Sequence, residues 1–183
     1  MPTSRLRGAC GCKAWSRSDD APIVVRQVLR AWLSLPLTVR GVAPFVVMAA
    51  LWWSSSRPPS DASPSAVHSF LHNGMHIVAY AALGGSVLLW LGHSLRTGEV
   101  PWRAVVISVV VAVAYGIVDE LHQSTVPGRV CSVVDVVSDA MGALLAAALL
   151  GHLLGNHRLC RRALPFCILG SLCSVAVATF GPW

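Results

Sequence analysis

Long apolar blocks, each about as long as a membrane crossing, restrict this chain more than any other feature of its sequence. Residues 74–92 (GMHIVAYAALGGSVLLWLG), 104–123 (AVVISVVVAVAYGIVDELHQ) and 133–154 (VVDVVSDAMGALLAAALLGHLL) each approach the roughly 20 residues that an α-helix needs to cross a hydrocarbon core. A segment surrounded by lipid must satisfy its backbone donors and acceptors internally, so blocks of this kind are expected to be helices. The valine run in residues 104–123 has the composition of a buried strand, but its uninterrupted length argues for a helix. Residues 41–54 are short for a crossing and need residues 37–39 or the following serines to complete it. Trp52 and Trp53 suit the headgroup region at its end. Residues 163–180 form one more apolar block. The expected fold is an all-α polytopic transmembrane bundle with four core spans and a fifth formed by that last block.

The remaining segments read as flanks. Residues 1–21 are polar and basic, with too little apolar surface to offset the entropy of ordering, and are expected to be a disordered cytoplasmic tail. No apolar core follows the early arginines before Asp19 and Asp20, so this tail does not read as a secretory signal peptide. Residues 22–40 place Arg26 and Arg30 on one helical face beside Ile23, Val24, Leu29, Trp32 and Leu33, which suits a helix lying at the membrane surface or extending the first span. Residues 41–155 make the membrane domain, and residues 156–183 a basic loop with the fifth span. The formal net charge of +6 is spread over tails and loops instead of forming one patch with aromatics, which argues against a nucleic-acid partner and for the lipid bilayer as the main one. Cys10 and Cys12 lack nearby histidines or a second thiol pair to complete a zinc site, and no cofactor is expected.

Orientation follows from the fourteen lysines and arginines. Seven precede the first span (Arg5, Arg7, Lys13, Arg17, Arg26, Arg30, Arg40), two follow the second (Arg96, Arg103) and three follow the fourth (Arg158, Arg161, Arg162), leaving only Arg57 and Arg129 on the other side. By the positive-inside rule the chain is a multi-pass cell-membrane protein with a cytoplasmic amino terminus and with residues 55–73 and 124–132 outside.

This topology brings the unusual polar residues to one end. The second span begins there with His72, His76 and Tyr80. The third ends there with Tyr115, Asp119, Glu120, His122 and Gln123, and the fourth starts there with Asp135 and Asp139. His76 and Tyr80, Tyr115 and Asp119, Asp119 and Gln123, and Asp135 and Asp139 are each four apart and therefore share a helix face. Intramembrane acids are costly unless paired or hydrated, which makes them candidates for a functional site. Arg129, in a Pro127-Gly128-Arg129 turn, is the natural counter-charge: it can bridge to a carboxylate in a packing network or grip a phosphate.

The stretch AYGIVDELHQSTVPGRVCSVVDVVSDAMGALL resembles the signature of the VanZ-like membrane proteins, named for a teicoplanin-resistance protein. The resemblance rests on Tyr115-Gly116, Asp119-Glu120, His122-Gln123, Pro127-Gly128-Arg129, Asp135 and Gly142, on His76 and Tyr80 in the second span, and more weakly on Ser54, Ser55 and Ser56 before Arg57 and Pro58. It covers about residues 41–155. This chain has His72 and Asn73 where the family usually carries an Asp-Lys pair, and Asp139 where it tends to carry Asn. The resemblance implies a bacterial multi-pass protein with a role in resistance to a lipid-bearing glycopeptide.

Three classes of function fit these residues. The first is binding or modification of an outer-leaflet lipid or lipid-linked cell-wall precursor, in a pocket of His76, Tyr80, Asp119, Glu120, Gln123, Arg129 and Asp135. The second is metal-dependent hydrolysis, with His72 and His76 joining Asp119, Glu120 or Asp135 around an ion, although no HExxH sequence is present. The third is a structural or accessory membrane protein whose polar cluster supplies helix–helix hydrogen bonds. The topology has a direct check. In intact cells, membrane-impermeant thiol reagent should label single-cysteine variants at Cys131 and near His72 and spare Thr97→Cys. The reverse pattern would turn the polar residues toward the cytoplasm.

Overall fold

A computed structural model describes residues 23–58, 65–97, 99–129, 131–155 and 158–181. The expectations for residues 1–21, including Cys10 and Cys12, lie outside the described residues. The chain forms α1 (Ile23–Ser34), α2 (Leu37–Ser55), α3 (Ala66–Leu91), a 3₁₀ turn (His93–Thr97), α4 (Trp102–Gln123), α5 (Val133–Gly155) and α6 (Arg158–Phe180). The last five α-helices are long and apolar enough to cross a membrane, and the protein is an all-α polytopic membrane bundle.

The segment 22–40 is not one continuous helix: α1 stops at Ser34, and α2 starts after Pro36, so the first spanning helix takes in residues 37–39, which the short block at 41–54 needed, along with Arg40, Ser54 and Ser55. Proline has no N–H to continue a helix and disfavours helical geometry in the residue before it. Helix α3 begins at Ala66, eight residues before the apolar block at Gly74, because Ser65 caps it by accepting the His68 N–H at 3.2 Å. His72 and Asn73 interrupt the hydropathy of this segment but not its helix.

Helix α4 shows how the bundle is sorted. Its outer stripe is Val106, Val110, Ile117 and Leu121, all exposed, whereas its inner stripe is Ala104, Ser108, Ala112, Gly116, Asp119, Glu120 and Gln123, all buried. Large apolar residues outside and small or polar residues inside invert the pattern of a water-soluble bundle and suit helices solvated by lipid. Helix α6 repeats it, with Phe166, Leu169 and Leu172 exposed and Ser171 and Ser174 buried.

Helices α3 and α5 share the most extensive contact, α6 packs next on α5, and α2 and α4 close the bundle around α3. Small residues set the α3–α5 spacing. A Cβ placed on Gly84 would lie 2.7 Å from the Ala143 Cβ, and one placed on Gly142 would lie 2.5 Å from the Ile77 carbonyl oxygen. At the opposite end of α3 from His76, Leu33 of α1 joins Leu88, Leu95, Leu150 and Leu154 in an apolar cluster. There the buried Arg40 donates from Nη1 to the Leu89 carbonyl at 2.8 Å, placing a cation near the negative end of the α3 dipole. Gly142→Val should therefore push α3 and α5 apart and lower stability by about 1–3 kcal/mol, read as an earlier midpoint in denaturant titration of the solubilised protein. An unchanged midpoint would show that this contact does not limit stability.

Candidate functional site

The α3–α5 contact places His76 against Asp139. The His76 Nδ1 lies 3.0 Å from Asp139 Oδ1, an arrangement in which the ring donates to the carboxylate. Asp139 is fully buried, and Gly116 makes room for it: a Cβ at that position of α4 would sit 2.5 Å from Asp139 Oδ2. The Tyr80 ring lies parallel to the His76 ring one turn deeper, with centroids 6.2 Å apart. Its hydroxyl is buried and has no hydrogen-bond partner among the described residues.

Helix α4 supplies the acids facing this pair. Glu120 is 2% exposed; its Oε2 accepts the Ser132 N–H at 2.7 Å, and its Oε1 has no partner among the described residues. Asp135, in the first turn of α5, also keeps an unpartnered Oδ1. One donor atom from each of His76, Glu120 and Asp135 lies within 4.8 Å of the other two. Asp119 is buried beside them in sequence and accepts Gln123 Nε2 at 3.0 Å. Three carboxyl groups, those of Glu120, Asp135 and Asp139, thus gather near one imidazole, and among the described residues no lysine or arginine forms an ion pair with them.

The other expected site residues are elsewhere. Tyr115 donates its hydroxyl to the Met48 carbonyl of α2 at 2.6 Å. His122 stacks on Trp52, with centroids 3.8 Å apart, and its Nε2 lies 3.0 Å from Ser56 Oγ. Arg129 donates to the backbone carbonyls of Arg57 at 3.2 Å and Ser54 at 3.4 Å instead of pairing with a carboxylate. Guanidinium geometry suits carbonyls presented at a helix end as well as it suits an acid. His72 is exposed and stands edge-on to His76 at 5.9 Å, outside the trio of converging donors. The candidate residues therefore separate into a buried acid–histidine cluster between α3, α4 and α5 and a latch that ties the end of α2 to α4 and its following turn.

The turn itself is dictated locally. The Arg129 N–H donates to the Val126 carbonyl at 3.1 Å, and Gly128 at φ 82° occupies the position that favours glycine, with Pro127 before it. Gly116 as the cradle for Asp139, and the Ser132 N–H on Glu120, went unread as site features in the sequence. Their signals were the small residue Gly116 beside Tyr115 and the short link between α4 and α5. The serines at 54–56 were a faint signal for the latch.

The fold and its embedded acid–histidine cluster define a polytopic membrane protein with polar chemistry inside its bundle. A family model described as VanZ/LLP1 matches residues 22–155, and the chain belongs to that family. The match takes in α1, which the sequence resemblance beginning at residue 41 had left out. No curated protein and no solved structure matches the chain.

The exposed Cys131 reports on the cluster from outside the spans. Partial loss of hydration, followed by the charge of Glu120, holds its thiol above the usual value. Thiolate, the reactive form, therefore forms at higher pH than on a free cysteine. In chelator-containing buffer, Glu120→Gln should move the pH–rate profile of Cys131 alkylation to lower pH and speed labelling near about pH 8. A profile identical to that of the wild type would show that Glu120 carries no charge at Cys131.

Proposed function

We propose that this protein binds or modifies the headgroup of an outer-leaflet lipid or lipid-linked cell-envelope component, and that it contributes in this way to tolerance of teicoplanin-type glycopeptides. The observation that carries the reading is the convergence of His76, Glu120, Asp135 and Asp139 from three helices with carboxylate oxygens left unpartnered. A cluster serving only helix packing would be expected to pair its acids internally, because unpaired charge at this depth opposes folding. The lysine and arginine distribution turns this end of the bundle outward, where headgroups and cell-wall precursors are met. Arg129 braces the mouth through α2, while the buried acids and histidine face the bound group.

The test separates binding from packing. Glu120→Gln and Asp119→Asn, expressed in the native membrane, should keep normal abundance while glycopeptide susceptibility rises toward that of cells lacking the protein. A photoactivatable lipid-linked precursor should cross-link to the wild type and several-fold less to Glu120→Gln. Abundance falling in step with the phenotype in both variants would instead assign the cluster to helix packing.

A further inference from the structure

We propose that His76, Glu120 and Asp135 form a binding site for a divalent cation of the zinc type, with Asp139 as the residue that positions the His76 ring. Three observations carry it. One donor atom of each residue lies within 4.8 Å of the others, so closing them onto an ion at about 2.0–2.2 Å needs side-chain shifts of about an ångström. Glu120 is 2% exposed and its Oε1 has no hydrogen-bond partner among the described residues, leaving a buried anionic oxygen suited to a cation. The 3.0 Å contact of Asp139 with Nδ1 is the carboxylate support that orients metal-bound histidines, and with Nδ1 donating, Nε2 is the nitrogen that would ligate the ion.

The donor set selects among ions. An imidazole nitrogen with two carboxylate oxygens suits zinc and neighbouring first-row ions, whereas magnesium favours oxygen ligands and retains its water. Three protein donors leave a coordination position for an oxygen from outside the protein. The inference rests on the pocket proposed above and narrows its ligand to an anionic headgroup such as a phosphate. With Arg129 donating to two backbone carbonyls, an anion entering the cluster without a cation meets mainly carboxylates. A bound dication reverses that sign.

The experiment uses full-length protein in detergent, with thiols blocked by N-ethylmaleimide, stripped by chelator and then equilibrated with Zn²⁺. Elemental analysis should find one zinc per chain, and equal Mg²⁺ should not displace it. Glu120→Gln and Asp135→Asn should each weaken binding at least about tenfold, and Asp139→Asn by roughly 10–100-fold through loss of ring orientation. His93→Ala, in the 3₁₀ turn, should bind as the wild type does. Helical content and elution volume establish that each variant is folded. Should the variants fail to fold, Co²⁺ added to the wild type gives a second reading through visible absorption typical of nitrogen and oxygen ligation. Folded wild type that takes up no zinc or cobalt overturns the site, as does zinc retained unchanged by folded Glu120→Gln and Asp135→Asn. The photoactivatable precursor separates the two readings. Cross-linking that persists in metal-free protein without zinc uptake leaves the pocket and removes the cation, while zinc bound without cross-linking does the opposite.

Discussion

Close approach of α3 and α5 is the constraint on which the rest of the structure depends. Gly142 lets the α3 backbone come to where its own Cβ would be, and Gly84 does the same for Ala143 further along α3. Between lipid-solvated helices the hydrophobic effect supplies little attraction, so association relies on this kind of packing and on polar contacts across it. Only at that spacing does His76 reach Asp139. Gly116 extends the same logic to α4, since any side chain there would displace the Asp139 carboxylate and with it the ring it holds.

The polar residues then divide by the side of the helix from which they project. Toward α2, Arg129, His122 and Tyr115 hold that helix by its carbonyls, by Ser56 and by Trp52, using neutral or cation-to-carbonyl contacts. Toward α3 and α5, the acids are arranged around the His76 imidazole instead of around an arginine. A membrane interior makes that imbalance costly, and a proton or a cation is the physical means of relieving it. At position 139 the carboxylate brings a charge to the His76 ring, whereas an amide there would contact the ring without one.

Much of the architecture was legible because hydropathy is a one-dimensional property. Block length identified the spanning helices, and the order of spans brought α3, α4 and α5 together at one end with His76, Glu120, Asp135 and Asp139. Helix boundaries were less legible where a cap or a proline outweighed hydropathy, as at Ser65 and Pro36.

What the sequence by itself determined was the class of protein, the number of apolar helices and the end of the bundle at which the polar residues meet, since each depends on length, periodicity and connectivity. Tertiary structure alone decided which of those residues touch. His122 and Glu120 are two positions apart on α4, yet one stacks on Trp52 while the other faces His76, because they project from different sides of the helix. Position in the chain made Arg129 the natural counter-charge of the acids, yet the carbonyls at the end of α2 took the guanidinium because that helix ends beside the turn. Distances between side chains on separate helices depend on helix rotation and interaxial spacing, and a linear pattern encodes these only through small residues such as Gly116 and Gly142, whose role appears once their neighbours are in place.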